Sequence, residues 1–273
     1  MKEKYDRIGM NYNNTRKADS FIVERLLQHL KLQNTGKYLD IGCGTGNYTI
    51  ALNQNGFDFI GVEPSTEMLE KAKAKNSKVE WKLGKSENIP LENETVDGIL
   101  ATLTIHHWKD FDKSFAELNR VLKPNGRLVI FTSTNEQMNG YWLNYYFPKM
   151  LKDSTDQMPK FEVIQKNLFN NGFEIIETEK YFVRANLEDL FLYSGKHNPK
   201  MYLNKQIRHG ISSFSDLANM EEIEKGLRKL ESDIETGKVQ EIITNYENNN
   251  GDYLFLIAKK KGKGQLIHLP FSI

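Results

Sequence analysis

Between Asp40 and Gly46 the chain reads Asp-Ile-Gly-Cys-Gly-Thr-Gly, three glycines at alternate positions behind an acidic residue. A glycine carries no Cβ, so a ligand can approach such a loop closely. Amides at the start of a following helix can receive a polar or anionic group. A dinucleotide site spaces its glycines G-x-G-x-x-G; here the third comes one residue early, which argues against nicotinamide chemistry. Four features accompany the loop. Asp40 directly precedes it, and Glu63 closes the next apolar run, where a carboxylate can bind both hydroxyls of a ribose. Ser86-Glu87-Asn88-Ile89-Pro90 and Thr104-Ile105-His106-His107-Trp108 follow two further apolar runs. A histidine in such a place can accept a proton near neutral pH.

The elements that must position these residues alternate. Strands are predicted over Lys37 to Ile41, Phe57 to Val62, Val79 to Leu83, Val96 to Leu103, Arg127 to Thr132, Phe173 to Phe182 and Gly251 to Lys259. Between the early ones lie helical spacings opened by Asp19-Ser20, by Asn47, by Ser65 and by Phe111. Continuous apolar strands separated by helices are what a buried parallel sheet requires. The fold expected is α/β: a Rossmann-like, doubly wound, mostly parallel seven-stranded sheet with a helical insertion between the last two strands. In such sheets the loops named above share the carboxyl edge, where ligands bind. Pro124-Asn125-Gly126 reads as a turn into the fifth strand. Tyr141, Trp142, Tyr145, Tyr146 and Phe147 read as core or pocket wall. Residues 184–249 lack a strand pattern, and Ile223, Leu227, Leu230 and Ile234 fall on one helix face. The organisation expected is a domain over 1–183 and 250–260, a helical insertion over 184–249 covering a substrate, and a tail over 261–273.

Composition bounds the partners. The 273 residues carry 37 Lys+Arg against 36 Asp+Glu, a net charge of +1, so neither a phosphate backbone nor an anionic membrane is broadly attracted. Cys43 is the single cysteine, which excludes an intramolecular disulfide and suits a reducing, cytoplasmic setting. No apolar stretch reaches the roughly 18 residues of a membrane span, and the N-terminus lacks a secretory signal.

The segments LDIGCGTGNYT, GVEPS, GKSENIPL, VDGILATLTIHHW and RVLKPNGRLVIF, in this order and spacing, resemble class I S-adenosylmethionine-dependent methyltransferases of the ubiquinone/menaquinone-methylase-like group. The resemblance covers about residues 5–133 and implies S-adenosyl-L-methionine as cofactor. It places Gly42, Gly44 and Gly46 along the methionine and ribose, Asp40 near the methionine amino group and Glu63 on the ribose hydroxyls. Pro64, Ser65 and Met68 follow Glu63 into the same site. Ser86 and Glu87 neighbour the adenine, and Ala101 to Leu103, with Thr102 at the centre, form the floor. Lys85 stands where many members carry Asp, so that adenine contact is changed. The segment YDRIGMNYNNTR is similar to the mobile lid of such enzymes, which implies a lid over about residues 1–18 with Tyr5, Tyr12 and Arg16 closing on the site.

A methyltransferase must align nucleophile, methyl carbon and sulfur and exclude water. Where the acceptor is a weakly acidic oxygen or a protonated nitrogen it also needs a base. His106 and His107 are the candidates, with Tyr12 as partner. His106 is favoured because it aligns with the catalytic histidine of some small-molecule relatives, and one of the two is expected to face the pocket. Cys43 is expected to be inert. No metal-ligand cluster, no Asn/Asp-Pro-Pro-Tyr motif and no second cysteine occurs, which disfavours catechol, DNA-amine and pyrimidine-ring acceptors. A small-molecule O or N acceptor is therefore expected. A tRNA or protein methyltransferase, or a non-catalytic S-adenosylmethionine-binding module, is the alternative. Glu63→Ala is expected to weaken cofactor binding by roughly 1.5–3 kcal/mol and hardly to alter stability.

Overall fold

Alternation along the strands decides which face of the sheet each side chain enters. The computed structural model describes residues 15–262, with strands β1 (Lys37–Ile41), β2 (Asp58–Glu63), β3 (Glu80–Leu83), β4 (Val96–Thr102), β5 (Leu122–Thr132), β6 (Phe173–Tyr181) and β7 (Tyr253–Lys260). They form one sheet in the order β3-β2-β1-β4-β5-β7-β6. β7 runs antiparallel to both its neighbours, and the other pairings are parallel. Tyr38, Phe59, Leu100, Val129, Phe131, Phe255 and Ile257 point to one face. Leu39, Ile60, Ile99, Leu128, Ile130, Leu256 and Ala258 point to the other. That period of two, buried on both sides, is the signature of a sheet clad by helices on each face.

The first face is covered by α1 (Ser20–Leu30) and α2 (Asn47–Gln54). The Asp19 side chain caps α1 by accepting from Ile22 N at 2.9 Å. The second face is covered by α4 (Phe111–Val121), through Phe115, Leu118 and Val121, and by α7 (Phe161–Asn170), through Ile164 and Leu168. Between β2 and β3 lies α3 (Thr66–Lys75). The turn predicted at Pro124-Asn125-Gly126 lies inside β5. Val96 pairs with Leu122 and Gly98 with Arg127, so the intervening residues bulge out, with Asn125 at φ 67°.

After β5 come α5 (Asn135–Asn139), a 3₁₀ turn over Trp142–Tyr145 and α6 (Pro148–Asp156). Residues between β6 and β7 form α8 (Lys205–His209), α9 (Met220–Glu235) and α10 (Lys238–Asn245) with short 3₁₀ and π turns. Tyr141, Trp142, Tyr146 and Phe147 are buried. Tyr141 stacks on Tyr193 at 3.9 Å and 7°. Lys196 Nζ pairs with Asp252 Oδ2 at 2.7 Å, and Tyr193 N donates to Tyr253 Oη at 3.3 Å. Phe191, Tyr193, Tyr202, Phe214 and Leu230 join the core shared with α1 and β5. No helix among the described residues is long and apolar enough to cross a membrane.

Candidate active site

The carboxyl ends of β1, β2 and β4 border a cavity of about 420 Å³. Asp40, near the end of β1, is 2% exposed and accepts a hydrogen bond from Thr49 Oγ1 at 2.6 Å. Burial pushes its carboxyl up to about 7, against the opposing effect of Thr49. The three loop glycines adopt φ 71°, 56° and 76°, but they serve different ends. A Cβ on Gly42 would sit 2.0 Å from Thr104 Oγ1, and one on Gly46 would sit 2.3 Å from the Trp81 ring. These two are demanded by the packing of the chain itself. A Cβ on Gly44 would meet only Met68 Sδ, at 3.7 Å. Both residues line the cavity, so the bare face of Gly44 is one that a ligand can approach.

Glu63 ends β2 and is 4% exposed. Its Oε2 accepts from Gly44 N at 2.9 Å and its Oε1 from Ser65 N at 3.0 Å. A carboxylate oxygen can accept more than one hydrogen bond, which suits Glu63 to a pair of hydroxyl donors. By these bonds the carboxylate ties the glycine loop to the start of α3, a tie that the sequence did not show and that bears on the expectation that Glu63 hardly affects stability. Ser65 also caps α3, accepting from Met68 N at 3.3 Å.

Ser86 Oγ accepts from Ser114 Oγ at 2.9 Å. Glu87 Oε1 accepts from Lys109 N at 2.8 Å and Asp110 N at 3.4 Å. Burial raises the Glu87 carboxyl, but these amides and the charge of Lys85 outweigh it and hold the group below its usual range. Glu87 thus clamps the segment after the histidines as well as lining the cavity. Lys85 and Lys109 line the same cavity. Thr102 lines it too, and its buried Oγ1 has no hydrogen-bond partner among the described residues. Burial, reinforced by Asp40 and Glu63, pushes the Cys43 thiol well up, so it is held as the unreactive thiol.

Arg16 lines the cavity as expected, but its partner was invisible in the sequence. Its guanidinium pairs with Asp189, with Nη2 donating to Oδ2 at 3.1 Å. Tyr48 Oη donates to the same Asp189 Oδ2 at 3.1 Å. Asn47 Nδ2 donates to Arg16 O at 3.0 Å, and Leu190 N to Thr15 O at 3.1 Å. The residues before α1 are therefore strapped both to α2 and to the chain after β6. Tyr48 and Asp189 both line the cavity, and no local motif could have announced that pairing. Tyr5 and Tyr12 lie outside the described residues.

A second cavity, of about 100 Å³, shares Arg16 and Leu103 with the first. Leu103, with φ 51° at the end of β4, stands at the boundary. The two histidines lie on the 3₁₀ turn Ile105–His107, where His107 lines the first cavity and His106 the second. Their ring centroids are 3.8 Å apart. Each cavity is lined by only one of the two, and it is His107, not the favoured His106, that lines the larger one. Away from both, His29, Glu177 and Glu179 are near enough to hold a metal. Arg25 pairs with Glu179, and His29 Nε2 lies 2.8 Å from the same carboxylate, so that charge is already matched.

A methyltransferase-domain family profile matches residues 39–130. An uncharacterised methyltransferase of Mycobacterium tuberculosis is 36% identical over 105 residues, which spans 38% of this chain and only 43% of the mycobacterial one. A demethylmenaquinone methyltransferase of Staphylococcus aureus is 28% identical over 182 residues, 62% of this chain and 74% of that one. Among solved structures, a protein described as a methyltransferase from an antibiotic biosynthesis pathway of Anabaena variabilis superposes with a TM-score of 0.80. It is 35% identical, over 90% of this chain and 99% of its own. With a glycine loop open at Gly44, a carboxylate poised at Glu63 and a sheet of matching topology, the chain belongs to the S-adenosylmethionine-dependent methyltransferases.

Proposed function

We propose that this enzyme methylates an oxygen or nitrogen of a small organic acceptor held in the second cavity. The observation that carries the reading is the pair of cavities meeting at Arg16 and Leu103. The larger has the size and the donor set for the cofactor, and the smaller lies beside it. When bound, S-adenosyl-L-methionine supplies an electrophilic methyl group. Asp40 offers a buried carboxylate to an ammonium, and Gly44 offers a bare backbone face. Glu63 offers its carboxylate to the ribose hydroxyls. Pro64, Ser65 and Met68 continue that wall, and Ser86 and Glu87 stand at the adenine end with Lys85. Thr102 Oγ1 is a hydroxyl awaiting a partner.

His106 lines the acceptor cavity and takes the proton that the acceptor must lose; His107 supports the cofactor side. Phe191, Leu192, Ile211 and Leu217 from between β6 and β7 wall the second cavity and exclude water. This supports the reading of residues 184–249 as the substrate cover. The Staphylococcus relative, named for the organic acceptor demethylmenaquinone, points the same way.

A Leu217→Trp variant tests the reading, since Leu217 lines the second cavity and not the first. With S-adenosylmethionine and a panel of small phenols and amines, wild-type protein should release S-adenosylhomocysteine. The variant should lose acceptor turnover while keeping its affinity for S-adenosylhomocysteine. Equal turnover in both proteins overturns the assignment.

A further inference from the structure

We propose that Ser154 is the distal anchor of the acceptor. The acceptor would then be an uncharged single-ring molecule, with its nucleophilic atom toward His106 and a second hydrogen-bonding group on its far edge. This deepens the proposed function and rests on the acceptor occupying the second cavity. Ser154, on α6, is 5% exposed and lines that cavity. Its Oγ is buried and has no hydrogen-bond partner among the described residues. A buried hydroxyl left unpaired is costly and uncommon, so one on a residue that lines a cavity marks a place where a ligand atom can complete it.

Three other hydroxyls that line the cavity, those of Ser133, Tyr141 and Tyr253, are engaged within the protein. Ser133 Oγ donates to Asp252 O at 3.0 Å and lies 2.9 Å from Tyr141 Oη. Tyr141 Oη in turn donates to Asp252 O, and Tyr253 Oη accepts from Tyr193 N at 3.3 Å. Gln157, three residues beyond Ser154, lines the same cavity and can supply a second contact.

Charge and size narrow the occupant. Among the described residues lining this cavity there is no carboxylate and no lysine. The guanidinium of Arg16 is paired with Asp189. An ionised acceptor would therefore lose hydration without gaining a counter-charge. At ~10–15 Å³ for each water-sized group, a cavity of about 100 Å³ accepts on the order of seven to ten heavy atoms. A six-membered ring with two substituents fits that range. The rings of Tyr141, Phe191 and Tyr253 and the thioether of Met138 line the walls, a surface suited to an aromatic face.

Hydroquinone and para-cresol test this directly. They have the same number of heavy atoms and differ only in the distal hydroxyl or methyl group. Dissociation constants are measured for both with S-adenosylhomocysteine saturating, in wild-type protein and in Ser154→Ala. The preference for hydroquinone over para-cresol should fall about 3- to 10-fold in the variant, the loss of one neutral hydrogen bond. The affinity for S-adenosylhomocysteine should not change. The melting temperature without ligand should hold or rise, because the substitution removes an unpaired buried hydroxyl; a merely structural serine would lower it. An unchanged preference overturns Ser154 as the anchor, and so does failure of both phenols to bind the wild-type protein. Leu217→Trp separates the two levels. If it abolishes phenol binding while Ser154→Ala leaves the preference intact, the cavity reading stands and the anchor falls. If it leaves phenol binding unmoved, both fall.

Discussion

Replacing Glu63 by alanine removes the acceptor of two backbone amides, Gly44 N and Ser65 N, at 2.9 and 3.0 Å. A hydrogen bond to a charged group contributes about 1.5–3 kcal/mol. Gly44 borders the cavity, so its amide can turn to water, whereas Ser65 is fully buried and its amide cannot. The protein without ligand should therefore lose roughly 2–4 kcal/mol, short of the full sum of two such bonds. For a domain of this size that lowers the melting temperature by on the order of 5–15 °C. Binding suffers separately. Losing the ribose acceptor should raise the dissociation constant for S-adenosylhomocysteine by roughly 10- to 150-fold, equivalent to about 1.5–3 kcal/mol. Glu63→Gln divides the two effects. It keeps one carbonyl oxygen for one amide but turns an NH₂ group toward the other, so it should be intermediate in stability and in affinity. Calorimetric titration with S-adenosylhomocysteine and thermal melts of the three proteins give both numbers. A Glu63→Ala protein that binds S-adenosylhomocysteine as tightly as wild type would refute the ribose assignment. One that melts as wild type would refute the role assigned to the two amide bonds.

Other outcomes follow from the same geometry. The carboxyl of Asp40, raised to about 7, favours the folded state fully below the ordinary carboxylate range and loses that contribution as pH rises through about 7. A cofactor ammonium would favour the charged form, so S-adenosylhomocysteine affinity should rise by up to about tenfold per pH unit below pH 7 and level off above it. A flat profile in calorimetry would remove Asp40 from the ammonium site. His106→Ala should cut turnover of a true acceptor by about 10²–10⁴-fold with cofactor affinity kept, while His107→Ala should act mainly on cofactor affinity; steady-state kinetics beside titrations tell them apart. Asp189→Ala leaves Arg16 and Tyr48 without their shared carboxylate and should cost about 3–5 kcal/mol in denaturant unfolding, and an unchanged midpoint would show the strap to be idle. Gly44→Ala should weaken S-adenosylhomocysteine binding with a smaller loss of melting temperature than Gly42→Ala, whose Cβ would collide with Thr104.

The strands, the helices between them and the glycine loop were legible in the chain because each is written locally. Apolar runs of strand length, Asp and Ser caps and a G-x-G-x-G spacing are properties of a few adjacent residues. Lys37–Ile41 was read residue for residue, and Glu63 was legible because it closes a strand. The sequence by itself thus determined the class of fold and the edge of the sheet at which the larger cavity opens. The tertiary structure alone decided which glycines are demanded by packing, since that depends on Thr104 arriving from the loop after β4 and Trp81 from β3. It alone paired Arg16 with Asp189, which stand 173 residues apart in the chain. It also set His106 and His107, whose rings touch, against different cavities on the 3₁₀ turn after β4. Residues that act through partners distant in the chain leave no local periodicity or spacing behind, and folding is what brings them within reach of one another.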